Sequence, residues 1–172
     1  MRIEPSPLGG VLICHLRTHH DERGQFVNVW EASSAEMAVL DKCNLSVNPQ
    51  PGTLRGMHWQ EAPHSEHKLI SCVNGSVFDV LIDVRPGPSY LEWWGMVLET
   101  PSVAIYVPPG FAHGYLTLKA DSSVLYHMNG THNPSSARGL RYDDPGVGIE
   151  WPHVARLVSA RDAAFPLLAS TT

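Results

Sequence analysis

The stretch "TLRGMHWQ" at residues 53–60 carries an arginine, a histidine and a glutamine at positions 55, 58 and 60 inside what otherwise reads as a strand. Strand residues two apart share a face, so His58 and Gln60 point the same way. Arg55 starts on the other face unless Gly56 marks a bulge that turns it round. Three more polar residues interrupt apolar segments or follow a tight turn: Lys68 in "HKLISCV", Tyr126 in "VLYHM" and His113 in "PPGFAHG". One such intruder is unremarkable. Several on different strands would be costly to bury without a shared purpose.

Histidines gathered in one place suggest a metal first. Barrels that bind one commonly use a His-x-His pair with a glutamate a few residues beyond and a further histidine. Here Trp59 and Gln60 stand where the second histidine should fall. His58 and His113 are half a ligand set, and zinc or iron takes at least three protein ligands. The "HSEH" run at 64–67 reads as a polar loop after a proline. No metal and no other cofactor is expected.

The elements that would have to position these residues are short apolar runs punctuated by Pro and Gly. "GVLICHL", "QFVNVW", "TLRGMHW", "HKLISCV", "SVFDVLIDV", "WWGMVLE", "SVAIYVP", "HGYLTL" and "SSVLYHM" all read as strands. In "SVFDVLIDV", Phe78, Val80, Ile82 and Val84 form an apolar face and Asp79 and Asp83 fall opposite, which predicts a sheet packed on one side. "NG" at 74–75 predicts a two-residue hairpin between the flanking runs. "RPGPS", "VPPG" and "RYDDPG" are turn chemistry. Helix signals are few: "SSAEMAVLDK" with a serine cap, and "SARDAAFPLLA" with Ser159 as cap before Pro166 interrupts. Many short, regularly spaced strands predict a mainly β antiparallel jelly roll with a few short helices, as one domain.

Composition agrees with a globular chain: 172 residues, 43% hydrophobic and 17% charged. A net charge of -5 lacks the basic surplus of a nucleic-acid binder. No apolar run approaches the roughly 20 residues that span a bilayer. The absence of a signal-like hydrophobic segment at the start, and three widely spaced cysteines without zinc spacing, predict a cytoplasmic protein with reduced thiols.

Taken together, "LRGMHWQ", "HKLISCVNGSVFDVLIDVRPG", "VPPGFAHGYLTL", "RGLRYDDPGVGIEWP" and "SARDAAFPLL" resemble, in order and spacing from about residue 8 to 168, the dTDP-4-dehydrorhamnose 3,5-epimerase family. The resemblance implies a metal-free cupin jelly roll that works as a homodimer on a nucleotide-diphosphate 4-keto-6-deoxy sugar. It implies His58 as the base with Asp162 behind it, Tyr126 as the acid on the opposite face of the sugar, and Lys68 at the developing oxyanion. By the same resemblance Arg55 and His113 contact diphosphate and sugar, Gln60 belongs to the substrate shell, and Arg23 in "DERGQF" reaches the nucleotide across the dimer. Without the resemblance, Asp162 reads equally as a helix cap, Tyr126 as a core tyrosine and Lys68 as a solvated strand residue.

The nucleotide-facing positions depart from the family pattern. Asn28 stands for a glutamate, and Lys42, Cys43 and Asn44 for Gln-Asp-Asn. His132 replaces a tyrosine that stacks on thymine, Ala137 a glutamate and Arg161 a lysine. The expectation is an epimerase inverting C3, C5 or both, with altered recognition of the base. Two other readings compete with it: a related ketoisomerase or metal-dependent cupin, and a non-catalytic sugar-binding cupin. Both are disfavoured, the first by the missing ligands and the second by a base, acid and oxyanion group appearing together.

Overall fold

The structure, a computed structural model, describes residues 1–31, 39–99 and 101–168. Its strands are β1 (Arg2–Pro5), β2 (Leu12–His15), β3 (Arg17–Asp21), β4 (Gly24–Asn28), β5 (Lys42–Asn48), β6 (Thr53–Gln60) and β7 (Lys68–Asn74). They continue with β8 (Val77–Asp83), β9 (Trp93–Leu98), β10 (Val103–Val107), β11 (Phe111–Thr117), β12 (Ser122–Met128), β13 (Ala137–Gly139) and β14 (Leu157–Val158), then the short helix α1 (Ala160–Ala163). Among the described residues one sheet runs β1-β2-β10-β7-β12-β5 and the other β13-β6-β11-β8-β9, with β14 added beside β6. Every pairing is antiparallel except β14 with β6. This is the expected jelly roll: two sheets face to face around a core that includes Ile70, Leu81, Ile105 and Val124.

All nine runs read as strands from the sequence are strands. The helix expected over "SSAEMAVLDK" falls mostly outside the described residues. The second expected helix is present but brief. Ser159 caps it by accepting from the Asp162 amide, and the chain leaves it before Pro166. No helix of the described residues is long and apolar enough to cross a membrane.

Two expectations fail for stated reasons. "NG" does not close a hairpin: β7 pairs with β10 and β12, whereas β8 pairs with β11 and β9. The turn carries the chain from one sheet to the other, Gly75 supplying a φ of 78° and Ser122 receiving the Ser76 amide. A turn type fixes the local reversal and leaves the partner to tertiary packing. Nor is the β8 sheet packed on one side. Phe78, Val80 and Ile82 face one apolar cluster, while Val77 and Leu81 lie in another on the opposite face. Asp79 and Asp83 are therefore fully buried. Asp83 is spent on the "RPGPS" turn, where it holds Arg85 and Ser89.

The bulge at Gly56 is real and decides the site. His113 opposes His58 while Tyr115 opposes Arg55, so β6 carries one residue more than β11 over this interval. That extra residue turns Arg55 onto the face of His58 and Gln60. Gly56, at φ 128°, meets Gly114 here so closely that a Cβ on Gly56 would lie 2.5 Å from the Gly114 Cα. A Cβ on Gly114 would lie 2.5 Å from Met57 Sδ and 2.8 Å from the Arg55 carbonyl. Gly114→Ala should therefore cost about 1–3 kcal/mol of stability in a denaturant titration, with activity falling more than the folded fraction does. Full stability and activity in this variant would refute the close approach.

Candidate active site

A cavity of about 790 Å³ opens between the two sheets. One wall is β6 and β11, which contribute Arg55, His58, Gln60 and His113. The facing wall is β5, β7 and β12, which contribute Lys42, Asn44, Lys68 and Tyr126. The segment entering α1 closes one side with Ser159, Arg161 and Asp162.

The His58 ring is held by Asp162 on one side and Phe165 on another. Its Nε2 lies 2.7 Å from Asp162 Oδ1, and the other Asp162 oxygen accepts the Gly56 amide at 3.2 Å. The Asp162 amide in turn donates to the Ser159 hydroxyl, so the helix cap that sequence reasoning gave to Ser159 orients the carboxylate for another task. Phe165 meets the His58 ring edge-on at 6.0 Å. Phe165 also covers Gly139, the residue paired with His58 across β13, where no side chain fits. Burial lowers the His58 pKa below the ordinary histidine value, and the Asp162 carboxylate opposes that fall. With Asp162 accepting from Nε2–H, the free Nδ1 is the basic nitrogen near neutral pH.

A second histidine–carboxylate pair stands beside the first. His113 Nε2 lies 2.8 Å from Asp79 Oδ2, and both residues are buried. The His113 ring meets the Tyr126 ring edge-on at 5.7 Å, joining the two walls. Burial raises the Tyr126 phenol well above its ordinary value, with the Tyr115 phenol and Asp79 adding to the rise. Tyr126 is therefore a proton donor throughout the physiological range. Lys68 is buried at the cavity wall, and desolvation lowers its pKa against the pull of Glu66 and Asp79.

The remaining residues expected at the site divide into three groups. Arg55, Asn44, His132 and Arg161 line the cavity, with Arg55 Nε steadied by Asn48 at 2.8 Å and the Arg161 guanidinium 5.9 Å from the Phe165 ring centre. Gln60 also lines it, but its amide is occupied with backbone: Nε2 donates to the His64 and Thr131 carbonyls and Oε1 accepts from Asn133. It anchors the segment that brings His132 to the cavity. Arg23 and Asn28 lie outside, on the separate β3–β4 hairpin, paired with Asp21 and Glu31 respectively. Phe26 on the same hairpin is 72% exposed.

Asp79 and Glu66 join the site without having been expected there. Asp79 was legible in principle, since Val77 and Leu81 on its face are apolar and mark that face as buried too. Glu66 belongs to the "HSEH" loop, as the sequence predicts, and yet lines the cavity. Among the described residues no group of three His, Cys, Asp or Glu side chains is placed to hold a metal ion.

Fold and cavity together define a cupin-type jelly roll with histidine–carboxylate pairs facing a tyrosine and a lysine across the space between its sheets. The profile of the dTDP-4-dehydrorhamnose 3,5-epimerase family matches residues 5–170, and the chain belongs to that family. It is 37% identical to the dTDP-4-dehydrorhamnose 3,5-epimerase of Sinorhizobium fredii, over 98% of this chain and 90% of that one. It is 34% identical to the dTDP-4-dehydrorhamnose 3-epimerase of Streptomyces niveus, over 98% and 84%. The dTDP-6-deoxy-D-glucose-3,5-epimerase of Legionella pneumophila, solved with dTDP-4-keto-L-rhamnose, superposes with a TM-score of 0.89 at 31% identity, covering 99% and 94%.

Proposed function

We propose that this chain inverts C3, C5 or both of a nucleotide-linked 4-keto-6-deoxyhexose by proton transfer through an enolate. The observation that carries the reading is the placement of the His58–Asp162 pair and Tyr126 on facing sheets with the cavity between them. Inversion beside a ketone needs a proton removed from one face of the carbon and returned to the other. His58 Nδ1 takes the first proton, and Asp162 supports the imidazolium that results. Negative charge grows on the ketone oxygen, where the Lys68 ammonium stabilises it in a water-poor wall. Tyr126 delivers a proton from the opposite side. Arg55, Arg161 and His113 supply positive or donor groups for the diphosphate and sugar.

The active unit is a homodimer in the cytoplasm. The β3–β4 hairpin supports this, because it carries Arg23 and an exposed Phe26 away from its own cavity, in a form suited to reach a second copy. Three widely spaced cysteines fit a reducing compartment. The relatives differ in whether their names specify C3 alone or C3 and C5. Incubation with several nucleotide 4-ketosugars in deuterated water tests the reading: deuterium at each inverted carbon is expected, and no wash-in from any ketosugar would end it.

Base recognition has drifted. His132 offers a smaller face than an aromatic six-membered ring, and stacking contributes roughly 1–3 kcal/mol per base. Calorimetric titration with dTDP, UDP, CDP and GDP should show weak discrimination or a base other than thymine in front. Strong, exclusive selection of dTDP would count against this.

A further inference from the structure

Glu66 lies two residues before the start of β7, with His67 between them, and no catalytic step above uses it. Lys68 and Lys42 are both register partners of Met128, so the three form one row across β7, β12 and β5 on the cavity face. The Glu66 carboxylate bridges the ends of that row. One oxygen lies 3.8 Å from the Lys42 Nζ and the other 3.8 Å from the Lys68 Nζ, with Glu66 itself 9% exposed at the side chain. Lys42 is anchored further by donating to the Gly130 carbonyl at 2.5 Å. Two ammonium groups thus share one carboxylate, with the Lys68 end buried and the Lys42 end partly open to solvent.

We propose that Glu66 is a positioning residue that acts through Lys68: its carboxylate offsets the repulsion of Lys42 and keeps the Lys68 ammonium charged and aimed into the cavity. The inference rests on the reading of this cavity as the epimerase site. The charged and titratable groups around Lys68 are Glu66 on its own segment, Lys42 on β5, Asp79 on β8, His58 on β6 and Tyr126 two residues from Met128 on β12. Glu66 and Asp79 raise the Lys68 pKa, while burial and Lys42 lower it. A neutral amine would stabilise an enolate oxygen far less than an ammonium does, because the attraction is between opposite charges in a medium of low dielectric. Glu66 therefore sets the upper end of the pH range in which the oxyanion group works.

The chain contains only three lysines, Lys42, Lys68 and Lys119, so side-chain NMR of labelled lysine resolves each one, and the Lys68→Met spectrum assigns the signal. The Lys68 titration midpoint should fall in Glu66→Gln, rise in Lys42→Met and return toward the parent value in Glu66→Asp. An unchanged midpoint in Glu66→Gln, or a fall in Lys42→Met, overturns the inference. A purely structural Glu66 would lower thermal stability and leave the midpoint in place. The alkaline limb of kcat/KM should move with the midpoint. If the midpoint shifts as expected and the limb does not follow, the Glu66–Lys68 coupling stands and the oxyanion role of Lys68 falls.

Discussion

His58→Asn abolishes both deuterium wash-in and inversion, whereas Tyr126→Phe keeps the first and loses most of the second. The two expected phenotypes differ because the two side chains stand on different sheets and act on different faces of the same carbon. Without His58 no proton leaves, so no enolate forms and solvent deuterium has no way in. Without the Tyr126 hydroxyl, His58 still removes a proton, exchanges it and returns it to the face it came from. The sugar then gains deuterium and largely keeps its configuration. General acid–base groups typically contribute about 10²–10⁴-fold, so each loss lies well within reach of NMR time courses. Normal inversion by Tyr126→Phe would move the acid to another residue or to water. Normal exchange by His58→Asn would remove the base assignment altogether.

Asp162→Asn tests the orientation of the base instead of its presence. The Asp162 carboxylate accepts from both His58 Nε2 and the Gly56 amide. An asparagine that keeps its oxygen on the Gly56 amide must turn its NH₂ group toward Nε2, which forces the proton onto Nδ1 and blocks the basic nitrogen. In serine proteases the equivalent change lowers kcat by about 10⁴ with the geometry intact, for the same tautomeric reason. The pH dependence adds a sign. His58 must be neutral to act, and burial already holds its pKa below the ordinary value. Activity should therefore be fully present at neutral pH and decline only below the ordinary histidine range. Because Asp162 raises the His58 pKa, Asp162→Asn should move that acid limb lower still while dropping the plateau. A limb that moves upward, or a plateau that does not change, would contradict the pairing.

The sequence shows the barrel through its apolar strands and hides it where strands are functional. β5 escaped notice because its cavity face carries Lys42, Asn44, Ser46 and Asn48, while its outer face leaves Leu45 and Val47 exposed, so neither alternation nor burial marks it. β3 has the same cause, with "RTHHD" in a two-stranded hairpin and mostly exposed. The site was legible to the extent that polar residues interrupted apolar strands: His58, Lys68 and Tyr126 all met that description. Asp162 could be drawn to His58 only through the family resemblance, because nothing local joins residues 104 apart. Gln60 lines the cavity, and the backbone groups that hold its amide, 4 to 73 residues away, are announced by nothing in the sequence around it. The "NG" misreading shows that turn chemistry states how a chain bends and not which strand it meets.

The separation of His58 from Asp162 also bears on how the protein comes into being. Local contacts form early in folding, and closing a loop of that length comes late and costs more chain entropy. Asp162 sits on a four-residue helix that follows the last strand and meets β6 through the Gly56 amide and the His58 ring. So short an element belongs with those that open locally for less than the global free energy. A refolding chain can thus assemble its strands as far as β13 and still lack the partner of the His58 ring. On the ribosome, strands β1 to β14 emerge before the residue that partners the His58 ring on β6. Recovery of turnover during refolding should trail recovery of the β-sheet signal, making catalysis itself the report that the last segment has docked.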